Sequence, residues 1–212
     1  MKVVVVGSGA REHALAWRIC QSPLLSELHA APGNPGIAQL GICHPVRATD
    51  GDGLLALAHA IDADLVVIGP EAPLVAGVAD ELRLAGVAVV GPGAEAARIE
   101  GSKTFAKEVM RAAGVPTAEA LSIARTPCVV KADGLAAGKG VYVCHTNEEL
   151  DAALLAASGF GGGTVIEELL EGDEVSVFAL TDGRDVLALP AAQDFKRIGD
   201  GDTGPNTGGM GA

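Results

Sequence analysis

Four consecutive valines, Val3–Val6, stand between Lys2 and Gly7. A strand with one wet face alternates apolar and polar residues. This run does not, so both of its faces need cover, and it belongs inside a parallel sheet flanked by helices. The next residues fit that placement. Gly7-Ser-Gly-Ala-Arg-Glu-His13 makes a turn, and a helix is expected from there to about Cys20, with Ala14, Leu15, Trp17 and Ile19 available for packing and Pro23 beyond its end. Asp64–Ile68 reads as a second clear strand closed by Gly69-Pro70, Val75–Ala85 as a helix, and Val87–Val90 as a third strand closed by Gly91-Pro92. Strands spaced by helix-length segments pair in parallel through right-handed crossovers. The first hundred or so residues are therefore expected to form an open parallel α/β sheet.

The rhythm then changes. Lys103–Ala113 reads as a helix with Phe105, Val109 and Met110 on one side; Ser102 can cap it, and Gly114 and Pro116 stop it. Strands at 128–131, 141–144, 164–168, 174–180 and 185–189 are separated mainly by turns, with one helix at about 147–157. That is the pattern of an antiparallel α+β unit. The switch divides the chain into domains 1–101 and 102–212. From Gln193 onward the chain is polar and glycine-rich, an irregular stretch of the kind that is usually either functional or disordered. It ends inside that stretch, so a piece of a longer protein is expected.

Composition narrows the function. A formal net charge of −12 speaks against general nucleic-acid binding, which needs a basic surface, and 3% aromatic residues leave little material for stacking bases. Hydrophobic residues at 49% supply a core, with no run long enough to span a bilayer. Cys20, Cys43, Cys128 and Cys144 form no Cys-x-x-Cys pair. They read as reduced, mostly buried thiols in a cytoplasmic protein. The five histidines do not cluster, and no residue is assigned to a metal.

The chemistry is concentrated in Lys131-Ala-Asp-Gly-Leu-Ala-Ala-Gly-Lys-Gly-Val141, between two apolar runs. Glycines at 134, 138 and 140 let backbone N–H groups approach oxygens that a Cβ would block, and Lys131 and Lys139 bring compact positive charge. Strand, glycine loop and strand suit a hairpin folded over a polyphosphate. No Ser or Thr follows Lys139, so this is not a P-loop. Gly7-x-Gly9 opens a dinucleotide-type turn, but position 12 is Glu12 where a third glycine would fall, so it is weak evidence for NAD; the helix N-terminus can still offer N–H groups to a phosphate. Pro32–Gly36 and Gly69–Leu74 lie at strand ends, where ligands collect in open sheets, and Glu71 in such a loop can bind hydroxyls or an amine. Either tract is equally read as turn chemistry. Glu167-Glu168-Leu-Leu170 can present an adenine edge with backbone groups, and Glu174 can accept ribose hydroxyls; solvated carboxylates at a strand end are the commoner meaning of a Glu pair. Asp194, Lys196 and Arg197, next to Asn206 and Thr207, are either a solvated patch or a grip on a carboxylate and a phosphate.

Seven tracts in order resemble the glycinamide ribonucleotide synthetase (phosphoribosylamine–glycine ligase) family of the ATP-grasp superfamily. They are Gly7–Leu15, Pro32–Gly36, Gly69–Leu74, Glu100–Lys107, Lys131–Val141, Ile166–Gly172 and Gly204–Ala212. The resemblance implies a Rossmann-like, pre-ATP-grasp domain followed by an incomplete α+β ATP-grasp domain. It implies that ATP phosphorylates the carboxylate of glycine, and that 5-phosphoribosylamine attacks the acyl phosphate to give glycinamide ribonucleotide, ADP and phosphate in purine biosynthesis. By the same resemblance Lys103, Lys131, Gly134, Gly138, Lys139 and Gly140 face ATP phosphates, Glu167, Glu168 and Leu170 the adenine, and Glu174 the ribose. Gly9, Asn34, Pro35, Glu71, Asp194, Lys196, Asn206, Thr207, Gly208 and Gly209 face phosphoribosylamine and glycine, with Lys131, Asp194 and Lys196 closest to the chemistry. Mg²⁺ or Mn²⁺ is implied, its ligands lying in a further half of the family's length beyond residue 212. The chain departs from the family pattern in a short stretch between Pro116 and Pro127, in Ala10 for a glycine, and in Phe195 for a histidine. Two rivals are another ATP-grasp carboxylate–amine ligase and a truncated chain that binds nucleotide without turnover.

Overall fold

A computed structural model of the chain describes residues 1–136, 139–172, 174–193, 195, 197–201 and 203–207, without the side chains of 205 and 206. Two compact units, Met1–Ala106 and Lys107–Ala212, make up the fold.

The first unit runs β1 (Lys2–Gly7), α1 (Ala10–Ile19), β2 (Glu27–Pro32), β3 (Ile42–Cys43), α2 (Gly51–Ala60), β4 (Leu65–Ile68), α3 (Glu71–Val75), α4 (Val78–Leu84), β5 (Val89–Val90) and α5 (Ala94–Gly101). Its five strands are all parallel, in the order β3-β2-β1-β4-β5. The valine run is thus the central strand, and the reason is visible in its pleat. Val4 and Val6 join Leu54, Leu57, Val66, Ile68 and Leu82 in one core, while Val5 joins Ala16, Leu28, Ala30 and Ile37 in the other. Successive side chains point to opposite faces, so a continuous apolar run serves both layers.

Several expectations need correction here. The helix read over 75–85 begins only at Val78, as α4; Val75 ends the separate α3, and Gly77 at φ 90° breaks the ladder between them. Glu71 consequently sits in the first turn of α3 rather than in a loop. On α1 the buried residues are Glu12 and Ala16, whereas Trp17 is 57% exposed. α1 starts at Ala10 and meets the sheet through Ala16 and the partly buried Ile19, which leaves Leu15 and Trp17 facing water.

A histidine pair joins β2 to the residue after β3. His29 Nδ1 and His44 Nε2 lie 3.0 Å apart, and His29 Nε2 is 3.3 Å from Glu27 Oε2. Burial, and then the neighbouring His29, push the His44 pKa below its ordinary value. The folded state therefore binds fewer protons than the unfolded one, and stability rises with pH. This contribution is whole above the ordinary histidine value and is lost as pH falls from there through the lowered one. Denaturant midpoints measured from pH 7.5 down to 5 are expected to drop more steeply for the parent than for His44→Gln; parallel curves would refute the coupling.

The second unit continues α6 (Lys103–Ala113, starting just inside the first unit) with β6 (Cys128–Ala132), β7 (Val141–Cys144), α7 (Asn147–Ser158), β8 (Thr164–Glu168), β9 (Ala179–Thr181), β10 (Val186–Ala188), β11 (Arg197–Gly199) and β12 (Thr203–Asn206). Ser102 Oγ accepts from the Phe105 N–H at 3.2 Å, the expected cap of α6. β7, β6 and β8 form an antiparallel sheet with β6 in the middle. Cys128, Val130, Ala132 and Cys144 on one face pack under Leu150, Ala153 and Ala157 of α7. Thr146 and Glu149 cap α7 reciprocally, the Thr146 Oγ1 accepting from the Glu149 N–H and the Glu149 carboxylate from the Thr146 N–H. The strand expected over 174–180 is confined to β9, which among the described residues has only the three-residue β10 as a ladder partner; Ser176 instead bridges Ala192. The tail read as irregular contains the β11–β12 hairpin. Among the described residues no helix is long and apolar enough to cross a membrane.

Candidate nucleotide-binding site

On the face of β6 and β8 turned away from α7, alternation places Val129 and Lys131 of β6 beside Val165 and Glu167 of β8. Val129 pairs with Glu167 and Lys131 with Val165, which makes Lys131 and Glu167 diagonal neighbours within reach of long side chains. Lys131 Nζ lies 2.5 Å from Glu167 Oε2. The other carboxylate oxygen, Oε1, is 2.9 Å from Nζ of Lys107 on α6. Lys107 also donates to Thr117 Oγ1 at 3.0 Å and to the Ala118 carbonyl. Lys107 and Glu167 are buried and Lys131 is half-buried, its side chain 29% exposed. Burial works against ionisation of Glu167, but hydrogen bonds from Lys131 and Lys107 outweigh it and hold the carboxyl below its ordinary value. Two ammonium groups thus share one carboxylate, and the more exposed one stands where the glycine loop begins.

That loop is anchored at both ends. The Ala132 N–H donates to the Gly140 carbonyl at 2.8 Å, and the Asp133 N–H to the Gly163 carbonyl at 2.7 Å. Gly134 turns the chain at φ 107°, a conformation closed to most side chains. Lys139 is exposed and Gly140 buried; Gly138 lies outside the described residues. At the far end of β8, the Glu168 N–H donates to the Glu119 carbonyl at 3.0 Å, and the Glu168 carboxylate accepts from the Glu119 N–H at 2.9 Å. Leu170 and Glu174 are exposed. Lys103 opens α6, one helical turn before Lys107 and on the same side.

In the first unit, the turn after β1 is filled by Glu12, which is 3% exposed. Its carboxylate accepts from the Gly9 N–H at 2.7 Å and from Arg11 Nε at 3.0 Å. The Gly9 amide read as a phosphate donor therefore already has an internal acceptor. Arg11 reaches on to Glu71 Oε1 at 3.1 Å; this hydrogen bond outweighs burial and holds the Glu71 carboxyl below its ordinary value. Asn34 is spent on the fold, donating to the Ser8 and Gly9 carbonyls and accepting from the Gly36 and Ile37 N–H groups. Pro35 beside it is exposed. Thr207 is half-buried; Asp194, Lys196, Gly208 and Gly209, with the side chain of Asn206, lie outside the described residues.

The structure thus joins Lys131 to Glu167 and Arg11 to Glu71. Sequence reasoning missed Lys107, the one buried residue of α6. Its four-residue spacing from Lys103, on the side of Met110, was the available signal.

The fold is shared with the biotin carboxylase domain of a Hydrogenobacter thermophilus 2-oxoglutarate carboxylase. That match has a TM-score of 0.72 at 22% identity, covering 92% of this chain and 50% of that one, and shows likeness of fold alone. Residues 101–212 match the family model described as phosphoribosylglycinamide synthetase, ATP-grasp (A) domain, which sets the class: the ATP-grasp proteins. Residues 1–100 match the N domain of the same synthetase. The chain belongs to the phosphoribosylglycinamide synthetase family. It is 55% identical to the phosphoribosylamine–glycine ligase of Streptomyces coelicolor, covering 100% of this chain and 53% of that protein. A crystal structure of the Thermotoga maritima enzyme of that name superposes with a TM-score of 0.80 at 34% identity, covering 99% of this chain and 54% of that one. The chain spans about half the length of the curated relatives it matches. Its alignment with the Streptomyces relative is 224 positions long, so that relative carries residues this 212-residue chain lacks.

Proposed function

We propose that this protein serves as an ATP-dependent ligase that joins glycine to 5-phosphoribosylamine in the cytoplasm, as a step of purine biosynthesis. The observation that carries the reading is the Lys131–Glu167 pair at the root of the glycine hairpin, inside the segment matching an ATP-grasp domain. A glycine carboxylate oxygen attacks the γ-phosphorus of ATP, the bond to the bridging oxygen breaks, and ADP leaves. The amine of 5-phosphoribosylamine then attacks the acyl carbon, an amide bond forms, the amine loses a proton, and inorganic phosphate departs.

In this reading Lys131, Lys103 and Lys139 offset negative charge on the phosphates. The loop at 132–140 covers them and keeps water from the labile acyl phosphate. Glu167, Glu168 and Leu170 meet the adenine, and Glu174 the ribose. Glu71, oriented by Arg11, and the turn braced by Asn34 recognise the amine substrate, with Asp194, Lys196 and residues 206–209 as further contacts. A divalent cation, Mg²⁺ or Mn²⁺, would supply further positive charge against the phosphates. The described residues contain no group of three or more His, Cys, Asp or Glu able to hold one, so no step is assigned to it.

The test is direct. Calorimetric titration of ATP should give binding, weakened about 10- to 100-fold by Lys131→Ala, the value of one or two charge-assisted hydrogen bonds, and unchanged by Lys2→Ala. Equal effects of the two substitutions would overturn the site. Coupled detection of ADP, dependent on both glycine and 5-phosphoribosylamine, tests turnover. Binding without ADP release would favour a nucleotide-binding chain that does not turn over.

A further inference from the structure

Lys107 has no part in the roles proposed for the ligase, yet it is the most enclosed cation of the second unit's sheet face. We propose that Lys107 is a positioning residue for the nucleotide site: by taking one oxygen of Glu167, it makes up the charge of that carboxylate and leaves Lys131 a net positive charge to offer a polyphosphate. The proposal rests on the ATP-binding reading of Lys131.

The argument is one of formal charge and connectivity. Lys131 and Lys107 each contact a different oxygen of the same carboxylate, at 2.5 and 2.9 Å. The three groups sum to +1. If Lys107 were absent, Lys131 and Glu167 would form a neutral pair, and an arriving phosphate would compete with Glu167 for the Lys131 ammonium. Lys107 is also fixed independently of Glu167, through Thr117 Oγ1 and the Ala118 carbonyl. The segment carrying those acceptors runs beside β8, with Ala120 bridging Glu167 and the Leu121 N–H donating to the Ile166 carbonyl at 2.8 Å. Lys107 is therefore held by the same backbone that flanks the carboxylate it neutralises, and cannot follow Lys131 toward a ligand. In this triad one cation stays and the other is available.

The decisive experiment uses inorganic tripolyphosphate as probe, which removes any contribution of Glu167 to adenine. With the parent at +1, Lys107→Gln gives 0, Glu167→Gln gives +2, and the double variant returns to +1. Tripolyphosphate affinity should fall about fivefold in Lys107→Gln, rise by a similar factor in Glu167→Gln, and return to within about twofold of the parent in the double variant, magnitudes typical of one charge several ångströms away in a partly solvated site. Lys107→Arg should stay near the parent. ATP affinity should fall in Lys107→Gln while adenosine affinity does not. A merely structural lysine would instead lower adenosine and ATP alike, with no recovery in the double variant, and that result overturns the proposal. If Lys107→Gln fails to fold, the Glu167→Gln and double variants still decide it: equal tripolyphosphate affinity in those two would refute the charge argument. A parent that binds tripolyphosphate but not ATP would count against the nucleotide reading instead, so the two failures are distinguishable.

Discussion

Glu167→Ala is expected to lower the unfolding free energy by about 3–5 kcal/mol, because it strands a buried cation. The carboxylate is the shared partner of Lys107 and Lys131, and Lys107 is itself buried, 7% exposed. Removing Glu167 leaves that buried ammonium with only Thr117 and the Ala118 carbonyl, both neutral, as acceptors among the described residues. Glu167→Gln keeps the shape and a hydrogen-bonding oxygen, so its loss should be smaller. The pair Glu167→Ala and Lys107→Met should recover part of the loss, since no buried charge then remains unpaired. Urea midpoints for the four proteins check this. A Glu167→Ala unfolding free energy within about 0.5 kcal/mol of the parent, the range of ordinary surface substitutions, would mean that the triad contributes nothing to the fold. The same carboxyl is held below its ordinary value, so its contribution is present at neutral pH and is lost as pH falls from the ordinary glutamate range through the lowered value.

The second large effect is expected at Gly7, where β1 turns toward α1. Its φ is 127°, and a Cβ placed there would stand 2.6 Å from Glu12 Cγ and 2.8 Å from Glu12 Cδ. Gly7→Ala therefore meets two separate penalties, a backbone conformation that alanine rarely adopts and a side chain that cannot move aside without giving up the Gly9 N–H and Arg11. Together they should cost about 2–4 kcal/mol. In a Glu12→Ala background the overlap disappears and only the backbone strain remains, so the same substitution should cost about half as much. Thermal or urea unfolding of the four proteins reads the coupling. Strict additivity would show that Glu12 does not fill the turn.

The contrast between these two sites explains what the sequence made legible. The sheet of the second unit was readable almost to the residue, since β6, β7 and β8 are bounded by proline, glycine and the capping pair Thr146–Glu149. The valine run announced its central position because no other placement covers both faces. β3 was obscured by length, since two residues carry no period to detect, whereas β5 lies inside the run read as a strand over Val87–Val90 and is only shorter than expected. α2 was obscured by composition, since it starts Gly51-Asp52-Gly53, poor helix formers that are tolerated because Asp50 accepts from the Gly53 N–H at 3.0 Å. Lys131 could be placed at a strand end by its neighbours. Lys107 could not, because a lysine on an amphipathic helix ordinarily faces water, and only the tertiary position of Glu167 reverses that. Glu12 was recognised as the residue that spoils a glycine pattern, but its reach back to Gly9 belongs to geometry that spacing does not reveal.

Glu12 also decides which visitors the first unit can welcome. Cofactors bridged by a diphosphate dock by laying that anion across such a bend, drawn by bare amides and the positive pole of the helix. Here the bend comes with an anion of its own, tethered by Arg11 and sealed from water. A second anion arriving at that spot meets repulsion instead of a cradle, so the bend selects by refusal.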